Sequence, residues 1–275
     1  MKLYAISDLH IDFAENRQAL EQLPSQPDDW LILAGDLADT LADFETCLDL
    51  LRDRFAQLIW TPGNHDLWTL PDDPHQSRGM ARYEELVAIC RRKGVLTPED
   101  PYPVWKGAGS RAVLAPVFTL YDYSFRPDDV AEGAEIAWAM AAQIYGSDEV
   151  YLYHEPFASK RAWCATRCEL TESRLAEIDP SLPIVLINHF PLLREHAVLP
   201  AIPQFCIWCG TRRTEAWHRQ FNIRTVIYGH LHIRGVKLLD DVRFEEVSLG
   251  YPRHWEPARG LQYYLREILP GSRDE

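Results

Sequence analysis

Gly63-Asn64-His65-Asp66 follows a short apolar run, Leu58-Ile59-Trp60, and the turn pair Pro62-Gly63. A strand that ends in a glycine turn throws its next side chains out at the C-terminal edge of a sheet, where open α/β sheets build their sites. Asn, His and Asp are also ordinary turn formers, so the block carries little weight alone. Four other blocks share its setting. Lys2-Leu3-Tyr4-Ala5-Ile6 leads into Asp8 and His10, and Trp30-Leu31-Ile32-Leu33 leads into Gly35-Asp36. Pro183-Ile184-Val185-Leu186-Ile187 leads into Asn188-His189, and Thr225-Val226-Ile227-Tyr228 leads into Gly229-His230-Leu231-His232. Strand-like runs thus end repeatedly in hard or borderline metal ligands. Two metal ions about 3.5–4 Å apart can each hold a phosphoryl oxygen and stabilise an in-line displacement. That chemistry needs a carboxylate to bridge the ions and imidazole or amide donors to complete each sphere, and both kinds are present. Taken singly, Asp8 and Asp36 read as helix N-caps, His189 as a loop histidine, and His230 and His232 as the polar face of a strand. Those ordinary readings would all have to hold together, and as a set they are rejected.

The elements that position these blocks alternate. Glu15–Leu23 reads as a short helix closed by Pro24. Thr40–Phe55 is a clearer one, with Leu41, Phe44, Leu48, Leu51 and Phe55 at helical spacing and Asp39 or Thr40 as cap. Strand, helix, strand up to Asn64 is a βαβ pattern, which implies parallel neighbours. Residues 67–78, rich in Pro and Asp, read as a loop over the site, and Ala81–Lys93 as a helix stopped by Gly94 with basic residues in its last turn. Residues 102–118 read as strands, best at Val113-Leu114-Ala115. The stretch 121–179 breaks the alternation, with helices expected over Val130–Tyr145 and Glu169–Ile178; it reads as a helical cap or insertion in a single domain spanning 1–275. After Ile184 the strands resume, with a loop over 190–210, a helix over Thr211–Phe221, a hairpin of 236–239 and 242–247, and a last strand over Leu261–Ile268.

Composition bounds the class. The chain has 275 residues, 47% hydrophobic and 25% charged, ordinary values for a globular domain with a substantial core. Its 28 Lys and Arg against 41 Asp and Glu give a net charge of −13. That acidity argues against non-specific binding to nucleic acid or anionic membrane, and a phosphate substrate would need metals to draw it in. A ligand loop directly after the first strand, with no long apolar run, predicts a cytoplasmic protein with no membrane span. Disorder is expected only at Gly271–Glu275.

The five blocks, D-x-H, G-D, G-N-H-D, a lone H and G-H-x-H in order from 8 to 232, resemble the calcineurin-like binuclear metallophosphoesterases. The resemblance implies an α/β fold, a four-layer αββα sandwich, here with a helical insertion where family members place specificity. It implies that Asp8, His10 and His232 bind one metal, that Asp36 bridges, and that Asn64, His189 and His230 complete the second. His65 is then not a ligand but faces the scissile phosphate, stabilising charge or protonating the leaving oxygen, with Asp66 orienting it. Manganese, iron or zinc suits such mixed ligation.

Two constellations lie outside the blocks. Cys164 and Cys168, with Cys206 and Cys209, have spacings compatible with a structural zinc, but the flanking Trp163, Ile207 and Trp208 look like packing, so buried free thiols are expected. Arg212, Arg213, Arg219, Arg224, Arg234, Lys237 and Arg243 form a late basic cluster, mostly a solvated face, with one or two positioned to meet a phosphate or an acidic partner. Trp208-Cys209-Gly210-Thr211 and Ser248-Leu249-Gly250-Tyr251-Pro252 are similar to stretches in a bacterial branch that includes phosphopantetheinyl hydrolases. That branch implies a phosphodiesterase that removes 4′-phosphopantetheine from an acidic carrier protein. A phosphomonoesterase, a nucleotide phosphodiesterase and a non-catalytic scaffold of the same fold stay open as alternatives.

Overall fold

A computed structural model describes residues 1–271; of the segment expected to be disordered, all beyond Gly271 lies outside the described residues. Strands β1 (Leu3–Ile6), β2 (Gln26–Leu33), β3 (Phe55–Trp60), β4 (Val113–Pro116), β5 (Ile184–Ile187), β6 (Ile223–Tyr228), β7 (Gly235–Leu239), β8 (Val242–Glu246) and β9 (Arg266–Leu269) form two sheets. Their orders are β3-β2-β1-β9 and β4-β5-β6-β8-β7. All neighbours are parallel except β1 with β9 and β7 with β8.

The two-residue period of the strands sorts side chains between layers. Leu3, Ala5, Ile32 and Ile59 of the first sheet meet Leu114, Val185, Ile187 and Ile227 of the second in one buried cluster. Ile6, Leu33, Leu58 and Trp60, one step out of phase, pack under helices instead. The helices are α1 (Ala14–Glu21), α2 (Leu41–Arg52), α3 (Met80–Arg92), α4 (Glu135–Ala141), α5 (Asp148–Tyr151), α6 (Lys160–Ala176) and α7 (Trp217–Gln220). Helix, sheet, sheet, helix is the expected four-layer α/β sandwich. The sheets are joined at one point that matters for the site: Ser7 pairs with Ser248 in a parallel bridge, and Leu249 N donates to Ser7 O at 2.8 Å, immediately before Asp8.

Local signals account for most boundaries. Thr40 caps α2, its Oγ1 accepting from Asp43 N at 3.1 Å, and Leu41, Phe44, Leu48 and Leu51 are buried along one stripe. The expected helix over 169–178 starts earlier, at Lys160, where Ser159 caps Ala162 N at 3.1 Å. Its buried stripe is Trp163, Cys164, Arg167, Cys168, Thr171 and Leu175, residues whose polarity hides the period. The helix expected over 130–145 shrinks to α4, bounded by positive φ at Gly133 and Gln143. Likewise 211–221 breaks into a 3₁₀ turn at Arg212–Thr214 and the short α7, and 261–264 is a 3₁₀ turn, leaving only Arg266–Leu269 as strand.

Arg82 of α3 holds the ligand loops to the body. Its fully buried guanidinium meets Asp73 Oδ2 at 3.1 Å and donates to Asp39 O at 3.2 Å and Asp66 O at 3.3 Å. Removing one partner of a buried pair strands the other charge in low dielectric. Arg82→Ala is therefore expected to lower unfolding free energy by about 3–5 kcal/mol in urea titration; a loss below about 1 kcal/mol would place this pair with exposed ones.

Candidate metal centre

Five of the residues read as metal ligands have left-handed backbones: Asp8 (φ 54°), His10 (φ 41°), Asp36 (φ 54°), His230 (φ 72°) and His232 (φ 54°). Non-glycine residues rarely adopt this conformation, and its clustering at strand ends marks a constellation the surrounding structure holds against local preference. The parallel registers of β1, β2 and β3, and of β5 and β6, bring these ends out along one edge. The glycines of the blocks have a sharper role than turn formation. A Cβ on Gly63 would lie 2.0 Å from Asp36 Oδ1, and one on Gly229 would lie 2.3 Å from Asp8 Oδ2. They leave room for the carboxylates.

Ligand atoms converge in three groups, Asp8/His10/His232, Asp36/His189/His230 and His10/Asp36/His65, each with its atoms within 4.8 Å of one another. His232 Nε2 stands 3.1 Å from Asp8 Oδ1 and 3.3 Å from His10 Nε2. His189 Nδ1 is 2.8 Å from Ala34 O, which fixes it as the donor and turns Nε2 toward Asp36 Oδ2 at 3.3 Å and Asn64 Oδ1 at 3.2 Å. His230 Nδ1 lies 3.0 Å from the same Asn64 oxygen. Carboxylate, imidazole and amide ligand atoms thus converge in a buried space, and His230 Nε2 there is buried without a hydrogen-bond partner, an arrangement that divalent cations satisfy. The donor set fits a pair of ions.

Electrostatics bear on the protonation of the site. Burial alone would depress His189, but Asp36 overrides it and pushes the imidazole up to about 10, so a divalent cation held at Nε2 would displace a proton from it. His10 and His230 are driven down to about 3 by burial and by neighbouring imidazoles, His65 and His189 respectively, which leaves both as neutral donors. Asp8 and Asp36 stay ionised despite burial because the surrounding histidines hold them low.

His65 is placed as expected at the cleft, but its orienting partner is not Asp66. His65 Nδ1 sits 2.8 Å from Asp39 Oδ1, its ring lies 3.6 Å from that of Trp68, and its N–H donates to Asp36 Oδ1 at 2.8 Å. Burial opposes protonation, yet Asp36 and Asp39 push His65 up to about 9. The Asp66 carboxylate instead accepts from Leu37 N at 2.8 Å, Gly63 N at 3.0 Å, Asp36 N at 3.1 Å and Trp60 Nε1 at 3.3 Å. It clasps two ligand loops together. Asp39 escaped notice because it reads as a helix cap; Thr40 takes that task and frees Asp39.

Other supporting residues lie outside the five blocks, Ser248 and Tyr251 among them from the 248–252 segment. Asp148 of α5, inside the 121–179 segment, accepts from Asn64 Nδ2 at 3.0 Å and Trp68 Nε1 at 2.6 Å, so the Asn64 oxygen is turned to the ligand groups. Ser7 and Ser248 hydroxyls reach Asp8 Oδ2 at 2.5 and 2.7 Å. Tyr251 packs on His10 and His232 with centroids 4.8 and 4.7 Å away, and His254 Nδ1 lies 3.1 Å from His232 Nδ1.

The two outlying constellations resolve differently. The six cysteines are buried and free, and among the described residues no convergent group contains one. Most of the late arginines are engaged within the chain: Arg212 with Asp128 at 2.5 Å, Arg219 with Asp240 at 2.7 Å, and Arg234 with the carbonyls of Val247, Ser248 and Tyr264. The arginine that lines the cleft is Arg253, its guanidinium 5.1 Å from the Tyr251 ring centroid. No helix among the described residues is long and apolar enough to cross a membrane.

Residues 1–234 match the calcineurin-like phosphoesterase family. The chain is 48% identical over 270 residues to the [acyl-carrier-protein] phosphodiesterase PptH of Mycobacterium tuberculosis, covering 98% of this chain and 83% of that protein. It is also similar to the crystal structure of phosphopantetheinyl hydrolase (PptH) from Mycobacterium tuberculosis, with a TM-score of 0.95 and 46% identity, covering 100% of this chain and 98% of that one.

Proposed function

This chain belongs to the calcineurin-like phosphoesterase family and is a metal-dependent phosphoester hydrolase; from that premise we propose that it cuts the phosphodiester joining 4′-phosphopantetheine to a serine of an acyl carrier protein. The observation that carries the reading is the likeness to PptH over the whole chain, which takes in the 121–179 segment and the C-terminal wall of the cleft as well as the ligand loops. Substrate choice resides in such parts, whereas the ligand loops alone would speak only for the reaction class.

In this reading Asp8, His10 and His232 would hold one divalent ion and Asn64, His189 and His230 the other, with Asp36 contributing to both; manganese, iron or zinc would suit the donors. When bound, the ion pair supplies Lewis-acid activation of water and neutralises charge on the phosphoryl oxygens. The protein does the rest. His65 carries its proton at the cleft, with Nδ1 tied to Asp39, so Nε2 is the nitrogen available to the oxygen of the departing alkoxide. A serine alkoxide is a poor leaving group, which makes that proton valuable. Asp66 keeps the two loops in register, and Asp148 keeps the Asn64 oxygen inward. The carrier is an acidic protein in this reading, met at the rim by Arg253, and both work in the cytoplasm, a compartment that suits six unpaired cysteines.

Incubation with manganese and a holo carrier protein is expected to yield the apo carrier, lighter by one phosphopantetheine in intact-mass analysis. An unchanged carrier beside good hydrolysis of a simple diester would leave the phosphoesterase and remove this substrate.

A further inference from the structure

The cleft above the ligand residues has a volume of about 450 Å³ and two unlike walls. One rises from Tyr251, Arg253 and His254. The other consists of Leu199, Pro200, Ile202, Phe205 and Ile233, and presents no polar side-chain atom. This second wall is built into the metal centre: Phe205 lies nearly parallel to His230, with ring centroids 5.7 Å apart and an interplanar angle of 22°. Ile233, one residue past the ligand His232, is 50% exposed.

Aliphatic side chains beside a cluster of carboxylates and imidazoles contribute nothing to phosphoryl chemistry. They leave apolar surface in water unless a part of the substrate covers it.

Resting on the phosphopantetheine reading, we infer that the Leu199–Ile202, Phe205 and Ile233 wall is the subsite for the pantetheine arm and selects this substrate class among phosphodiesters. The chemistry of the arm matches. Its gem-dimethyl carbon lies close to the phosphate, as Ile233 and Phe205 lie close to the ligands, and the remainder is a thin chain of methylenes and amides that a cleft of this volume admits. A nucleoside arm would call for donors and acceptors along the edge of its base, which this wall lacks, and for an open aromatic face. Of the aromatic rings lining the cleft, Tyr251 is covered by the Arg253 guanidinium and Phe205 is stacked on His230.

The test compares two small substrates without a carrier: the methyl diester of 4′-phosphopantetheine, which has the arm, and methyl p-nitrophenyl phosphate, which does not. Ile233→Asp and Ile202→Asp place a charge on the wall at exposed or half-exposed positions, and Ile233→Ser is the milder control against misfolding. The expected result is a loss of about 10–100-fold in kcat/KM on the pantetheine diester, chiefly in KM, at least tenfold larger than the loss on the p-nitrophenyl diester. Pantetheine itself should inhibit the wild type competitively and the variants more weakly by a similar factor. Equal losses on the two substrates, or none on either, would overturn the subsite while wild-type cleavage of the pantetheine diester upheld the phosphopantetheine reading. A wild type that hydrolyses the p-nitrophenyl diester and leaves the pantetheine diester intact overturns both.

Discussion

Asp36→Asn is expected to lower kcat/KM on any phosphodiester by about 10³-fold or more, equivalent to roughly 4 kcal/mol of transition-state stabilisation. The reason is position. Asp36 belongs to two of the three convergent groups, with Oδ2 3.3 Å from His189 Nε2 and Oδ1 accepting from His65 N–H at 2.8 Å. Asn keeps the volume and leaves the backbone N–H bonded to Asp66, so the fold should persist. What it removes is the negative charge that two divalent ions would share. Metal analysis of the purified variant should therefore show the pair reduced to one ion or none, and the thermal melt should stay cooperative. Treating the wild type with a chelator should abolish turnover in the same way, and restoring manganese should bring it back. Full activity in a chelated, metal-stripped sample would refute two-metal catalysis outright.

The convergence of Asp8, His10, Asp36, His189, His230 and His232 could be read from the chain because each follows a strand-like run, and the backbone geometry at those positions depends on local sequence. Asp36 after Gly35 and Asn64 after Gly63 announce a turn at the end of a buried strand. What was not legible are contacts between distant segments. Asp39 and His65 are 2.8 Å apart, but nothing in the spacing between them says that the helix cap falls to Thr40 instead. Asp148 is anonymous in a polar stretch and becomes part of the site only when the 121–179 segment folds against Trp68 and Asn64. Helix α6 was half hidden because its buried face uses Cys, Arg and Thr, and the segment 211–221, helical in composition, is broken into two turns whose hydroxyls and amides bond to residues far along the chain. The similar segment Trp208–Thr211 shows both sides of this. Trp208 Nε1 donates to Glu149 and Thr211 Oγ1 to Asp122, so these residues tie the 121–179 segment to the body, and neither lines the cleft.

The last expectation separates acid catalysis from charge stabilisation at His65. His65→Ala should reduce kcat on an alkyl diester by about 10²–10⁴-fold while the metal content stays at the wild-type level, because the other ligand groups do not depend on this ring. Loss of an ion would make His65 a ligand instead. The two remaining roles differ in their response to the leaving group. If His65 delivers a proton to the departing oxygen, a p-nitrophenyl ester, whose leaving group needs none, should largely recover in the variant, whereas a methyl or serine ester should not. If His65 acts only as a positive charge facing the phosphoryl group, both esters should fall by similar factors. The first outcome is expected, because Nδ1 is committed to Asp39 at 2.8 Å and the pair holds the proton on the ring up to about 9. Asp39→Asn then gives an independent check. It keeps a hydrogen-bonding partner beside Nδ1 but removes the charge, and should show the same leaving-group pattern at a smaller size, about 10–100-fold on the alkyl ester. Asp66→Asn should not reproduce that pattern, since its carboxylate binds loop amides and not the imidazole.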